Sequence, residues 1–286
     1  MPSPAHSPSR SSRRARGGAL RLVPTRPSES DAARFRYRHL WLPLALFAVA
    51  VVAIETFALD WRIARAVYDW QGYRWLLKHW FVTETLIHRV GRNASIAAWL
   101  GVAVAWAVAM RRDAYAAWRA PLGYLALSVL LTTLAVSWVK SWSNMDCPWD
   151  IDGLGGVRPY LSLFEARSTS LPHASCFPAG HASGGYAWMA LYFFFAMTKP
   201  QWRRRGLAVG AIAGLVFGLG QQLRGAHFLS HDVWTAAICW FGALGVYTLF
   251  VSRAERRERM RRWEAIGRDG ASASETGARR APSFER

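Results

Sequence analysis

Six apolar blocks, each about as long as a bilayer is thick, dominate the chain: residues 40–59, 93–110, 121–139, 182–197, 206–223 and 233–251. An α-helix rises about 1.5 Å per residue and needs roughly 17–25 apolar residues to cross the hydrocarbon layer. The blocks therefore predict an all-α polytopic membrane bundle of about six transmembrane helices, with 182–197 the shortest. The chain is 52% apolar and still carries a net charge of +18, a combination that suits a membrane protein and not a soluble domain.

The charges orient the blocks. Residues 1–39, 111–120, 198–205 and 252–286 hold 26 of the 36 Lys and Arg. With six spans, all four segments fall on one side, which the positive-inside rule makes the cytoplasm. The expected location is the cytoplasmic membrane of a bacterium, with both termini inside. The expected organisation is a basic, disordered tail over 1–39, a membrane domain over 40–251 and a second basic tail over 252–286. Topology and anionic headgroups account for the basic ends without nucleic acid. The first block follows a long basic lead, as a retained anchor does and a cleaved leader does not. Residues 60–92 mix seven aromatic residues with Arg and Lys, which reads as an interfacial segment on the outer face: an aromatic belt or a lip guiding a headgroup.

Ionisable side chains then gather at the outer ends of the spans. Lys140 ends the third block and His181 opens the fourth. Arg224 and His227 follow the fifth, and His231 and Asp232 open the sixth. A single basic residue at such a depth snorkels to the surface; convergence of two cations and several imidazoles calls for chemistry. Lys and Arg clamp phosphate oxygens, and the backbone of Ala179-Gly180-His181 at a helix start offers N–H donors to an anion. Two His can divide labour as nucleophile and general acid. His181, His227 and His231 are conceivable zinc ligands, but Lys140 and Arg224 would repel a cation and the spacing matches no familiar metal site. The reading therefore assigns no metal and no cofactor.

Lys140, the Phe-Pro-Ala-Gly-His at 177–181 and the Arg-Gly-Ala-His-Phe-Leu-Ser-His-Asp at 224–232 resemble, in order, the three motifs of the type 2 phosphatidic acid phosphatase superfamily, which also includes vanadium-dependent haloperoxidases. The resemblance implies a membrane phosphatase whose site faces the periplasm and whose substrate is a lipid phosphate or diphosphate: phosphatidate, phosphatidylglycerophosphate, undecaprenyl diphosphate or lipid A. It implies that His227 attacks phosphorus and that His181 protonates the leaving oxygen. Lys140 and Arg224 would hold the phosphate. A phosphotransferase using the same phosphohistidine, or a non-catalytic lipid-binding or transport protein with a degenerate site, are the alternatives.

The departures from the family pattern are specific. Cys147 stands where the first motif has Arg, with Arg158 as a candidate replacement. Ala179 stands where the second has Ser. Gln221 stands where the third has Arg, three residues before Arg224. His231 stands at the position of the orienting Asp, with Asp232 one step on; either is a candidate partner for His227. Cys147 and Cys176 share the outward loop, and an oxidising compartment permits a disulfide between them. Gly210, Gly214 and Gly218, four residues apart, predict close helix packing.

Overall fold

A computed structural model describes residues 29–261. The expectations for the outer parts of both tails, 1–28 and 262–286, lie outside the described residues. Within them the chain is helical, and its only β pairing is two isolated bridges. The helices are α1 (Ser30–Thr56), α2 (Leu59–Trp70), α3 (Phe81–Arg111), α4 (Asp113–Trp142), α5 (residues 180–198), α6 (Pro200–Leu223), α7 (Leu229–Phe250) and α8 (residues 253–261). Five of them, α1, α3, α4, α6 and α7, are long and apolar enough to cross a membrane.

Helix α5 is not among the five by length and composition. The block 182–197 does form a continuous helical run, but its head carries Gly180, His181, Ser183, Gly184 and Gly185, which lower its hydropathy. Protein, not lipid, surrounds it. Ala182, Ala187, Ala190, Phe193 and Ala196 are fully buried, and the run packs against α4, α6 and α7. A helix inside a bundle can carry polar residues that a lipid-facing helix cannot.

Close approach of α6 to α5 requires the glycine stripe. A Cβ on Gly210 would overlap the backbone of Met189, and one on Gly214 would overlap the Tyr186 ring. Gly185 meets the backbone of Gly214 from the other side. Replacing any of these would force the two helices apart, and with them the loops at their outer ends.

Two boundaries differ from the sequence reading. Helix α1 begins within the expected N-terminal tail, since Asp31, Phe35 and His39 are buried on one face of it. Helix α8 extends the bundle past residue 252: Arg261 binds Asp31 at 2.8 Å, and Arg259 donates to the carbonyls of Ala196 and Met197, each at 3.3 Å.

Residues 60–80 fasten to the ends of two bundle helices. Asp60 of α2 accepts a hydrogen bond from the Ser230 N–H at 2.8 Å, capping the start of α7. Gln71 donates to the Leu223 carbonyl at 3.0 Å, capping the end of α6. Helix ends leave N–H and C=O groups without internal partners, and a buried end needs such caps. Trp61, Tyr68 and Trp75 pack with Ile151, Leu154 and Phe228. From Phe81 the chain is already in α3, twelve residues before the expected block. The polar residues His88, Arg89 and Arg92 in its first turns hid its start from a hydropathy reading.

Candidate active site

Three helix junctions converge at one end of the bundle. Lys140 comes from the last turn of α4, Gly180 and His181 from the start of α5, and His227 from the turn between α6 and α7. A Cβ on Gly180 would lie 3.3 Å from Lys140 Cδ, so glycine lets the lysine stem cross the start of α5.

The outward loop holds the junctions in register. Cys147 and Cys176 form a disulfide, with Cα atoms 5.3 Å apart. Beside it, the Cys176 N–H donates to the Met145 carbonyl at 3.0 Å, the Ala174 N–H to Asn144 Oδ1 at 3.0 Å, and the Ser143 hydroxyl to the Phe177 carbonyl. The Trp149 N–H reaches the Gly225 carbonyl at 3.0 Å, joining the same loop to the third junction.

His227 is buried, and its Nδ1 lies 3.3 Å from Nδ1 of the fully buried His231. Burial holds the His227 pKa well below the ordinary imidazole value; nearby His231 and Lys140 push the same way, and the Cys176 carbonyl opposes them. Its Nε2 carries no hydrogen bond among the described residues, and the side chain borders a cavity. Asp232 turns away. One residue on along α7, its carboxylate faces Gly218 and accepts from Gln222. Of the two candidates to orient His227, His231 makes the contact.

The His181 ring stacks on His88 with centroids 4.1 Å apart, and its Nε2 sits 3.4 Å from the Ile87 carbonyl. Gln221 donates to His88 Nδ1 at 3.0 Å.

The cavity occupies about 640 Å³. His88, Arg92, Lys140, Gly180, His181, Gln221 and His227 line its polar part. Ile96 and Trp99 on α3 and Val129 and Leu130 on α4 line an apolar part deeper in the bundle. From His88 to Trp99, and from Lys140 to Val129, each wall runs about 16 Å at the helical rise.

Other sequence candidates sit elsewhere. Arg224 does not border the cavity: its Nε donates to the Lys78 carbonyl at 2.8 Å and it supports Gln221 from behind at 3.4 Å. Arg158 does not border it either; it pairs with Asp146, which Arg167 also grips at 2.7 and 2.9 Å. Burial works against the Asp146 carboxylate, but the two guanidinium groups win and hold its pKa below the ordinary value. The Ala179 N–H is spent on the His231 carbonyl at 3.3 Å, so the anion-binding part of the helix start is reduced to Gly180 and His181.

Residues 121–255 match the family model of the PAP2 superfamily. This stretch is a PAP2-superfamily domain. Comparison with curated proteins and with solved structures gave no match.

The PAP2 domain takes in α4 to α7 and therefore Lys140, His181 and His227. It leaves out α3, which brings the two residues that the sequence reading missed as site residues, Arg92 and His88. Their signal was the spacing. His88, Arg92, Ser95 or Ile96, and Trp99 recur at helical intervals, which puts a polar turn and an apolar stripe on one face. Arg92 brings to the PAP2 cavity a guanidinium that neither Arg158 nor Arg224 presents there.

Proposed function

We propose that the chain is an integral membrane phosphatase that removes phosphate from a lipid phosphate or diphosphate through a phosphohistidine; the PAP2 match supports a phosphatase-type activity. The amphipathic cavity carries this reading. Its basic and imidazole-bearing mouth suits a phosphate, and its apolar wall suits the chain attached to it.

The reaction divides among residues of known position. His227 donates the Nε2 lone pair to phosphorus, while its Nδ1–H bonds to His231. The phosphorus–oxygen bond to the lipid breaks, and His181 gives the leaving oxygen a proton from Nδ1; the Ile87 carbonyl steadies the Nε2–H of that imidazolium. Water then attacks phosphorus, yields its proton to His181 and releases inorganic phosphate, restoring His227. Lys140 and Arg92 neutralise the equatorial oxygens throughout, with the N–H groups at the head of α5 beside them. No metal enters this scheme.

The test is phosphate release from defined lipid phosphates in detergent, combined with a quench in alkaline denaturing detergent to trap labelled enzyme. Acid-labile, base-stable label on wild-type protein that is absent from His227→Ala supports the reading. Turnover by His227→Ala at the wild-type rate overturns it. The proposed outward-facing site is tested separately by reporter fusions: near Gly155 they should report periplasm, and between 198 and 205 cytoplasm.

A further inference from the structure

At the end of the bundle away from His227, a second cavity of about 380 Å³ opens between α1, α7 and α8. Arg36, Arg253, Arg256 and Arg257 line it together with Phe35 and Leu244. No Asp or Glu is among its described lining residues. Arg256 is structural, donating to the Thr248 carbonyl at 3.0 Å and to Val251 at the exit of α7, and its guanidinium lies 5.9 Å from the Phe35 ring. The other three make no ion pair among the described residues, and Arg257 Nε is buried without an acceptor. Elsewhere at this end Asp31 binds Arg34 and Arg261, Glu258 lies 3.9 Å from Arg261, and Glu255 accepts from the Ser252 N–H.

Four guanidinium groups around one small space repel one another, and a buried N–H without an acceptor adds a desolvation cost. An anion relieves both. Phosphate is the anion whose oxygens match a guanidinium fork in pairs. The apolar side of the cavity asks for hydrocarbon next to that anion. Depth supplies the rest. The catalytic junction lies at the start of α7 and this cavity at its end, 22 residues later. That span is roughly 33 Å, the thickness of a hydrocarbon layer, so the cavity stands at headgroup level in the opposite leaflet.

We infer that this cavity binds the phosphate of an anionic lipid headgroup in the leaflet opposite the catalytic site. The inference does not depend on the phosphatase reading, because no cavity residue belongs to the catalytic machinery. It gives a stretch of the basic C-terminal region a specific ligand in place of a diffuse charge effect.

Native mass spectrometry of the purified full chain tests it, with phosphatidylglycerol as probe, and phosphatidylcholine and inorganic phosphate as separate arms. Arg36→Gln/Arg253→Gln/Arg257→Gln is compared with Arg111→Gln/Arg112→Gln, which removes basic charge from another loop; Arg256 is kept because it caps α7. The expected result is retained phosphatidylglycerol on wild-type and control, with affinity at least tenfold weaker in the triple variant and little phosphatidylcholine on any of them. Equal retention by wild-type and triple variant overturns the inference, as does equal loss in both variants. If inorganic phosphate displaces the lipid at equal concentration, the site is one for the free anion and the lipid assignment fails. Should the triple variant not fold, Arg36→Gln alone must weaken retention at least threefold, and wild-type affinity in that variant overturns the proposal.

Discussion

The Nδ1 atoms of His227 and His231 face each other at 3.3 Å inside the protein. Two acceptors cannot make that contact, so one ring carries a proton there and the other does not. If His227 donates, its Nε2 holds a lone pair toward the cavity and is ready to attack phosphorus. A carboxylate would fix the same tautomer and also neutralise a positive imidazole. His231 fixes the tautomer without adding a negative charge, which leaves the phosphate oxygens themselves to balance a positive imidazole.

Removing the two imidazoles proposed as catalytic should therefore have different consequences. His227→Ala should abolish turnover on every substrate. His181→Ala should slow a lipid monoester about 10²–10⁴-fold and an aryl phosphate with a good leaving group much less, because only the weak leaving oxygen needs the proton. Equal losses on both substrates in steady-state assays would remove His181 from the general-acid role.

Arg92 and Arg158 should separate chemistry from architecture. Arg92→Ala should lower kcat/KM by about 10²-fold or more, as loss of a charge stabiliser does. Arg158→Gln should leave kcat/KM within a few-fold and lower the melting temperature, since it loosens the loop around Asp146. A reversal of the two patterns would place the phosphate near the loop and not beside α3.

The pH dependence follows from His227. Its folded pKa is lowered, so its neutral form persists below the value of about 6.5 at which a free imidazole is half protonated. Phosphoenzyme formation from a substrate with a good leaving group should hold its rate at pH 6 and fall only further down. The same shift makes the unfolded chain bind more protons than the folded one below about pH 6.5, so stability should decline as pH falls through that window. Rapid-quench rates with an acid limb centred at or above 6.5 would show that burial does not tune this group.

The disulfide closes a loop with a sequence separation of 29 residues. The chain-entropy account gives such a closure roughly 3–4 kcal/mol. Cys147→Ser should therefore lower the melting temperature clearly and reduce activity, because the loop positions both Lys140 and His181. A variant with unchanged stability and rate would reduce the bridge to a bystander.

That Lys140, His181 and His227 would meet was legible because each sits at the edge of an apolar block, where a polar side chain is conspicuous; all three line the cavity. His88 and Arg92 were not. They look like the polar tail of an interfacial segment until the backbone shows α3 starting at Phe81. Arg224 misled for a related reason: sequence places it one turn from Gln221, but the Lys78 carbonyl, 146 positions earlier in the chain, draws its guanidinium away. The block at 182–197 was legible as a helix but not as a packed one: its glycines and His181 lower its hydropathy, and the structure shows them set against α4, α6 and α7.

Asp60 caps α7 from the far side of the sequence, and Gln71 does the same for α6. Both lie well ahead of residue 121, where the family match begins. Kinship and self-sufficiency thus part company in this molecule. Excising 121–255 as a module would keep every inherited motif and lose the fastenings that hold two of their helices in place. Grafting experiments, and any exchange of catalytic halves between related chains, have to carry α2 and α3 along with the segment that bears the family's signature.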